Sequence, residues 1–374
     1  MQSITQTAYR LPLNPTIRDI AEELKLTPAT VSRALHNHPR ISTETKRLVL
    51  ETAKRLNYRR NKIASSVRTG RSHTIGVIIP SARINFFGSV VHGIETLASE
   101  HGYHTLIYQS EESPQLEVKA IEAFLGARVD GILASLAKGT TDFSHYLDLK
   151  KGNVPLVLFD RFNDSLNIPS VVIDDYKGGF IATEHLIKQG YKRIAHLAGP
   201  QQLQTFQNRQ KGYLDALKSH NIATDESLIY TGDLSIEEGK KAADYFMELV
   251  DIPDAIFAVE DFSALGLIKR LKERDIRIPE DIGIIGFANE DLDEHITPTL
   301  SSIDQQTVQM GREAFKMLLQ LIENKKTNIQ SKIILEPIPF FRESSLRNGL
   351  TDSGSRNNNK IVHNIFSKNL NTPV

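Results

Sequence analysis

The stretch from Thr27 to Arg33 combines hydroxyl, small and cationic side chains within a few residues. Serine and threonine hydroxyls suit phosphate oxygens, and an arginine guanidinium can pair with two acceptors on the edge of a guanine. These residue types therefore favour contact with double-stranded DNA, provided that the backbone holds them on one exposed face.

Apolar spacing predicts three short helices that would hold this face outward. Thr27 is a favourable N-cap, and Pro28 suits the first helical position because its missing N–H would have no helical partner. The second helix should span 28–35, and the third should start near Ser42. Two helices joined by a tight turn, with small polar residues and Arg33 exposed on the second, predict a helix-turn-helix that can enter a major groove. The residues expected to point inward are Ile17, Ile20, Ala21, Leu24, Val31, Ala34, Leu35, Val49, Ala53 and Leu56.

Charge is divided unevenly along the chain. Residues 1–72 contain 14 Lys and Arg against 5 Asp and Glu, a net charge of +9, whereas residues 73–374 contain 31 against 40, a net charge of −9. A basic N-terminal part is the electrostatic footprint expected of phosphate binding. A small helical bundle with a solvated basic face is the alternative, and the capped two-helix unit argues against it.

The composition excludes several classes of site. The 374 residues include no Cys, which excludes disulfides, a thiol nucleophile and a Cys-based metal site. Residues 1–15 lack the apolar segment of a signal peptide, and no apolar run is long enough to span a bilayer. A cytoplasmic protein of two or three domains is therefore expected.

From residue 74 onward, near-continuous apolar strands alternate with helical segments. This pattern predicts parallel sheets with helices on both faces, and there are too many units for one modest sheet. The expected fold is an N-terminal all-α helix-turn-helix headpiece followed by an α/β core of two doubly wound parallel-sheet lobes. One of the predicted helices spans 209–220 and begins at Arg209.

Changes of pattern set the expected domain boundaries. Lobe one of the core should comprise about 74–173 and 304–332, and lobe two about 174–303 and 333–347. The C-terminal residues are rich in Asn and Ser, a composition typical of disorder. In chain order, we expect a flexible arm at 1–15, the headpiece at 16–60, a hinge segment at 61–73, the core at 74–347 and a disordered tail at 348–374.

Ligands of open α/β sheets bind beyond the carboxyl ends of the strands, in the crevice between lobes. The loops that follow the predicted strands carry carboxylates, amides and arginines. An arginine fork paired with carboxylates suits the vicinal hydroxyls of a sugar, or an anion. The segments and residues selected by this rule are 81–87, Ser135, Asp160 with Arg161, 201–209, Leu234, Glu260 with Asp261, Ala288 with Asn289, and Gln305.

Two other classes of function, an enzyme and a solute receptor, are less well supported by the sequence. An enzyme is not expected, because no acid and base are placed as a pair and no nucleophile elbow or phosphate-binding glycine loop is present. Neither catalytic residues, a metal nor a cofactor is predicted. A solute receptor of a transporter would suit the two lobes, but the basic headpiece and the lack of a signal peptide argue against it. The histidines considered as metal ligands are scattered singly, at His92, His101, His104, His145, His185 and His196.

A pattern without gaps runs from Thr16 to Asn61 and reads T-x-x-D-I-A…T-V-S-R-A-L…S-x-x-T…V-L…A…L-N-Y. It resembles the DNA-binding headpiece of the LacI/GalR family of bacterial transcription regulators. The resemblance implies that Arg33 reads a base edge. The other implied recognition-helix contacts, the first two at variable base-reading positions, are Pro28, Ala29, Thr30 and Ser32. The remaining implied DNA-binding residues, most of them at phosphates or the DNA backbone, are Thr16, Thr27, His36, Ser42, Thr45, Tyr58 and Asn61.

Residues 61–68 lie where the family has a hinge helix that forms when a dimer binds its operator. The resemblance implies DNA contacts from Ser65 and Val67, the latter at the position of a Leu that wedges into the minor groove. Because Val is smaller and β-branched, we expect a shallower kink in the DNA. A flexible basic linker is the alternative, since the stretch is too short for a stable helix alone.

The rest of the chain is similar to the two-lobed, periplasmic-binding-protein-like core of the same family. Matching stretches include I-G-V-I-I-P ending at Pro80, G-G-F-I-A-T-E-H-L-I-K-Q-G-Y-K-R-I-A-H-L-A-G-P at 178–200 and F-R-E-S-S at 341–345. The resemblance covers Thr16 to Ser345. It implies a small-molecule effector, expected to be a sugar, held between the lobes. The implied effector-binding residues are Phe86 and Phe87 as walls, with Asp160, Arg161, Arg209, Leu234, Glu260, Asn289 and Gln305.

The chain departs from the family pattern at two cleft positions. Glu260 stands where Asn is common, and Ala288 stands where Asp is common. An extra carboxylate would disfavour a phosphorylated or carboxylated ligand and favour a neutral polyol or a cation. Structural alternatives stay open, because Glu260 could cap the next helix and Asp160 could pair with Arg161.

The residues and the resemblance together predict a homodimeric, sequence-specific transcription regulator, with repression favoured over activation by family habit alone. Its expected partners are an operator in double-stranded DNA, a small-molecule effector and a second copy of the chain, with no membrane. An effector in the cleft would change the angle between the lobes and hence the hinge segments. The affinities for effector and operator would then be coupled reciprocally.

Overall fold

The computed structural model describes residues 15–58, 71–323 and 331–347. The chain divides into two compact units, Met1–Ser72 and His73–Val374. The predictions for the arm at 1–14, for Asn61, Ser65 and Val67 in the hinge segment, and for the tail at 348–374 lie outside the described residues and stay predictions.

The first unit is a bundle of three helices, α1 Ile17–Glu23, α2 Pro28–Leu35 and α3 Thr43–Arg55. The predicted Thr27 cap is confirmed, and the third helix has its N-cap at Ser42, where its start was expected. The Thr27 hydroxyl accepts a hydrogen bond from the Thr30 N–H at 3.2 Å, and the Ser42 hydroxyl accepts one from the Thr45 N–H at 3.2 Å. Ile17, Leu24 and Leu35, predicted to point inward, are only half-buried and pack against the core of the bundle. The buried core of the bundle consists of Ile20, Ala21, Val31, Ala34, Val49, Ala53 and Leu56.

Lobe one of the second unit is built on a six-stranded parallel sheet. Residues along β1 alternate between its faces, with Val77 packed among α4 and α11 and Ile78 packed among α5 and α6. The strands, from one edge to the other, are β11 Lys332–Leu335, β5 Ser170–Ile173, β4 Leu156–Phe159, β3 Gly131–Ala134, β1 Thr74–Ile79 and β2 His104–Gln109. The helices are α4 Asn85–Glu100, α5 Pro114–Gly126, α6 Ser144–Lys151 and α11 Thr307–Ile322.

Lobe two is built on a four-stranded parallel sheet, with α7 and α8 on one face and α9 and α10 on the other. Its strands, in sheet order, are β7 Ile229–Thr231, β6 Ile194–Ala198, β8 Ala255–Ala258 and β9 Gly283–Ile285. An antiparallel ribbon of β10 Ser302–Asp304 and β12 Ile338–Phe340 lies beside β9. The helices are α7 Asp175–Lys188, α8 Gln204–Ser219, α9 Ile236–Met247 and α10 Asp261–Glu273.

Two expectations about this unit need correction. Strand β11 pairs with β5 over its whole length, so the expected lobe boundary at 332/333 moves to the end of Lys332–Leu335. Helix α8 starts at Gln204 instead of 209. Its start was missed because Leu203 stands at the N-cap and offers no capping side chain, so the usual sequence signal is absent.

Paired helices in the second unit cross at glycines: α4 with α11 at Gly93 and Gly311, α7 with α8 at Gly179 and Gly212, and α9 with α10 at Gly239 and Gly266. In the α7–α8 pair, a Cβ at Gly179 would collide with the carbonyl oxygen of Arg209, and a Cβ at Gly212 would collide with that of Tyr176. The missing side chains therefore allow α7 and α8 to touch backbone to backbone.

Replacing Gly179 with Ala should destabilise the second unit, because the new methyl group meets backbone that cannot rotate away. We expect the free energy of unfolding to fall by about 1–3 kcal/mol, measured by urea denaturation. The control is Gly88→Ala on α4, where a Cβ meets nothing within 4 Å and helix propensity improves. Equal stability of the two variants would contradict the close packing of α7 on α8.

Candidate functional site

The exposed face of α2 carries the side chains predicted to contact DNA. Pro28, Ala29 and Arg33 are exposed, and Thr30 and Ser32 are half-buried. Arg33 forms no ion pair with the described part of the chain. By contrast, Arg47 pairs with Glu44 and Glu51, and Arg55 pairs with Glu23. Within the described residues, the exposed Arg33 guanidinium is therefore not held by a carboxylate.

Most of the remaining predicted DNA contacts in this unit lie at helix ends. Thr16, Thr27 and Ser42 are the N-caps of the three helices, where backbone N–H groups and the helix dipole favour a phosphate. Thr45 lies in the first turn of α3, next to the Ser42 hydroxyl. At the other end of α2, His36 is the C-cap, and its Nδ1 lies 2.6 Å from the carbonyl oxygen of Ser32. Tyr58 is half-buried against the core of the bundle.

In the second unit, a cavity lies between the lobes. Its polar residues sit at the carboxyl ends of strands, as expected, with Asp160 after β4, Glu260 after β8 and Gln305 after β10. Of the predicted effector-binding residues, Asn289 does not line the cavity. Its side chain instead accepts from Arg342 and donates to Asp304. The lining residues are Ile84, Phe86, Phe87, Asp160, Arg161, Thr205, Phe206, Arg209, Leu234, Glu260, Ala288 and Gln305.

Sequence reasoning did not single out Ile84, Thr205 and Phe206, although they fall within the selected segments. Thr205 lies one helical turn before Arg209, so the i, i+4 spacing would have placed both on one face if the start of α8 had been recognised. The Thr205 hydroxyl is buried and has no hydrogen-bond partner in the described chain. It is therefore available to a ligand.

Arg209 forms the floor of the cavity. Its Nε donates to Asp175 Oδ1 at 2.9 Å, its Nη1 to the carbonyl oxygen of Val259 at 2.7 Å, and its Nη2 to Gln305 Oε1 at 2.9 Å. The guanidinium also lies 3.7 Å from the ring centroid of Phe287. Burial raises the pKa of Asp175 to about 7, although Arg209 opposes that rise.

Arg161 finds its partner away from Asp160. Its Nη1 lies 2.9 Å from both carboxylate oxygens of Glu112, whereas its Nε is 3.8 Å from the nearest oxygen of Asp160. The pairing of Asp160 with Arg161, the structural alternative to a role in ligand binding, is therefore only a loose contact. Ser135 approaches the same Asp160 oxygen at 3.4 Å, and burial raises the pKa of this carboxyl.

Glu260 has two roles in the structure. Its Oε2 accepts hydrogen bonds from the N–H groups of Phe262 at 2.7 Å and Ser263 at 3.3 Å, so it caps α10 as the structural alternative anticipates. The same side chain lines the cavity. Burial and the neighbouring Asp261 both raise the pKa of Glu260.

The rim of the cavity is closed by hydrogen bonds between the lobes. Asn85 Nδ2 in lobe one donates to Glu290 Oε2 in lobe two at 2.8 Å, and Gln204 Nε2 in lobe two donates to Asp164 Oδ2 in lobe one at 3.3 Å. Asn85 directly precedes the wall residue Phe86. Movement of that wall would therefore change the hydrogen bond between Asn85 and Glu290 that joins the lobes.

Comparison with known families finds matches to nearly the whole chain from residue 16 to residue 344. Residues 16–61 match the family described as bacterial regulatory proteins, lacI family. Residues 72–344 match the periplasmic binding proteins and sugar binding domain of the LacI family. The chain belongs to the LacI family. The protein is therefore a transcription regulator that binds DNA through its first unit.

Individual members of the LacI family agree with this assignment. The HTH-type transcriptional repressor CytR of Escherichia coli (strain K12) is 33% identical over 319 residues, covering 85% of this chain and 93% of the relative. The structure of a transcriptional regulator CelR–cellobiose complex is 28% identical with a TM-score of 0.67, covering 88% of this chain and all of that one. The Lac repressor dimer bound to operator and the anti-inducer ONPF shares the fold with a TM-score of 0.81 at 24% identity, over 89% of this chain and all of that one.

Two further features are absent from residues 15–58, 71–323 and 331–347. No helix there has the length and apolar content needed to cross a membrane. No three His, Asp or Glu side chains in the same ranges are grouped so that they could hold a metal ion.

Removing the Arg209 guanidinium should leave the Asp175 carboxylate buried without a cation. We expect Arg209→Ala to lower the free energy of unfolding by about 3–5 kcal/mol. The loss should be larger above pH 7 than below it, because Asp175 releases its proton near that pH and the ionised form needs the cation. The measurement is denaturant unfolding across a pH series.

The matched control is Arg277→Ala, which removes an exposed guanidinium paired with Asp281. This variant should change stability little, with no step near neutral pH. If Arg209→Ala shows the same small, pH-independent effect, Asp175 does not depend on Arg209.

Proposed function

We propose that the protein is a homodimeric transcriptional repressor whose affinity for its operator is controlled by a sugar bound between the lobes of the second unit. The observation that carries this proposal is that one chain contains both a headpiece with an exposed arginine on α2 and a polar cavity between two lobes. Because its target is chromosomal DNA, we place the protein in the cytoplasm.

On the DNA side, we propose that α2 enters the major groove and that Arg33 pairs with a base edge. Thr30 and Ser32 flank Arg33 on that helix, while Thr16, Thr27, Ser42 and Thr45 would receive phosphates at the helix ends. Asn61, Ser65 and Val67 stay predicted contacts of the hinge segment at 61–73. The boundaries of the headpiece at 16–60 and of the core from 74 are likewise proposed.

Dimerisation is supported by an apolar surface at one edge of lobe one. Leu106 and Ile107 on the edge strand β2 are 40% and 51% exposed, and Val118 and Leu125 on α5 are 38% and 48% exposed. A second copy of the chain packed on this edge would remove these side chains from water. A dimer would also bring two headpieces to two half-sites, which raises specificity beyond that of one headpiece.

On the effector side, the cavity suits a small ring with several hydroxyl groups. Phe86, Phe87 and Phe206 offer apolar walls, and Thr205 and Gln305 offer polar groups of the kind that orient a sugar. We propose binding without catalysis, with the ligand changing the balance between lobe arrangements. The cellobiose named in the CelR complex and the sugar binding domain of the matching family support a saccharide.

Arg33→Ala should remove sequence preference while leaving general DNA affinity largely in place. Loss of a bidentate base contact should reduce discrimination between the selected site and random DNA by about 1–3 kcal/mol. Selection of the preferred site from random DNA, followed by titration of the selected and random duplexes, measures this ratio. Lys54→Ala, an exposed charge on α3, is the control and should weaken both duplexes alike. Unchanged selectivity of Arg33→Ala would refute the role of α2.

A sugar effector should stabilise the second unit and change operator affinity. In a thermal-shift panel of neutral sugars, sugar acids and sugar phosphates, a ligand at about a hundred times its dissociation constant adds about 2.7 kcal/mol. Thr205→Val should then weaken the binding of the hit by about 0.5–1.5 kcal/mol without loss of stability, because the hydroxyl has no protein partner. A hit that binds Thr205→Val equally well and leaves DNA binding unchanged would contradict the proposed site.

A further inference from the structure

The positive charges of the cavity are already compensated by carboxylates that do not line it. Arg209 pairs with Asp175 at 2.9 Å, and Arg161 pairs with Glu112 at 2.9 Å. Both guanidinium groups are buried, at 3% and 6% exposure. They can still donate hydrogen bonds, but while the paired carboxylate is ionised, each ion pair has no net charge to offer an incoming anion.

The carboxyl groups that line the cavity have no comparable partner. Asp160 has Ser135 at 3.4 Å and the Arg161 Nε at 3.8 Å. Glu260 is held through Oε2 by two backbone N–H groups, and no side-chain cation of the described chain lies within ion-pair distance of it. Asp261 lies directly behind Glu260. The cavity therefore has an excess of acidic groups.

We propose that this cavity selects an uncharged, hydroxyl-bearing ligand and excludes carboxylated and phosphorylated ones, with Glu260 as the residue that sets this selectivity. The inference rests on the proposed function insofar as a ligand occupies this cavity, and it narrows the sugar to a neutral saccharide. An anion entering here would lose its hydration and meet no uncompensated cation, which is the unfavourable case for a buried charge.

A neutral polyol satisfies the same groups without that penalty. Its hydroxyls can donate to Asp160 and Glu260 and can accept from the N–H groups of Arg209 that the protein leaves unused. Burial raises the pKa of both lining carboxyls, so each takes up a proton more readily than an exposed carboxyl. In either protonation state, neither group supplies the positive charge that an anionic ligand would need.

The charge preference can be tested before any effector is known, because the chain contains no Trp. Leu234→Trp places a single tryptophan on the lobe-two wall, and Ile84→Trp places one on the lobe-one wall. Each is quenched in turn with iodide, caesium and neutral acrylamide at about pH 8, where Asp175 is ionised. The reference for each quencher is N-acetyltryptophanamide.

Relative to that reference, the quenching constant of caesium should be at least about twofold larger than that of iodide. Because burial raises the pKa of Glu260, the ratio is followed from about pH 8 upward, so that the ionised acid is sampled. Glu260→Gln in the same background should then bring the ratio towards that of the reference, since Gln keeps an oxygen for the α10 cap but loses the acid. Glu280→Gln, an exposed acid that does not line the cavity, is the control and should leave the ratio unchanged. Equal access of both ions at both reporters, with no effect of Glu260→Gln, would overturn the charge selectivity.

The same reporters then separate this inference from the proposed function. Glucose with glucuronate, galactose with galacturonate and cellobiose with cellobionate are matched pairs that differ in an acid group. If a neutral sugar binds and its acid binds at least about tenfold more weakly, both the charge selectivity and the sugar effector are supported. Iodide exclusion with no response to any neutral sugar supports the charge selectivity but counts against the sugar effector. Tighter binding of an acid than of its neutral partner overturns the charge selectivity and leaves a sugar-binding cavity intact.

Discussion

The ion pair between Arg209 and Asp175 is the contact on which the cavity depends. It joins the starts of α7 and α8, which can lie side by side only because Gly179 and Gly212 have no side chains. The other Arg209 donors reach the end of β8 at Val259 and the end of β10 at Gln305. One buried guanidinium therefore fixes two helices and two strand ends, and it becomes the polar floor of the site.

This arrangement separates the groups that build the site from the groups that close it. The floor belongs to lobe two, whereas Phe86 and Phe87 belong to lobe one and follow Asn85, whose amide meets Glu290 across the rim. A ligand that contacts both floor and wall has a different interaction energy in open and closed arrangements, which is the requirement for shifting their populations. In the proposed regulation, a change in the distance between the lobes would suffice, with no movement of Arg209.

The sequence was sufficient wherever the physical signal was local. The Thr27 and Ser42 caps, the apolar strands and the position of polar residues at strand ends depend on neighbours within a few residues, and the structure confirms them. The partner of Arg161 is Glu112, 49 residues away, and no spacing rule connects them. The pairing of β11 with lobe one and the use of Asn289 by Arg342 are also contacts between distant segments. Such contacts decide which polar groups are free for a ligand, so the chemistry of the site was less predictable than its location.

Glu260 shows how recognition can change while the fold is kept. A side chain at this N-cap must place one oxygen against the N–H groups of Phe262 and Ser263. The Asn that is common here in the LacI family also has one oxygen for this purpose, and its second group is an NH₂ that can only donate. Glu keeps the capping oxygen and replaces that donor with an acceptor or an acid. The helix start is therefore compatible with either residue, whereas an ionised Glu260 offers the cavity an acceptor where Asn would offer a donor. A single substitution at a cap can thus alter ligand chemistry at little expense to stability.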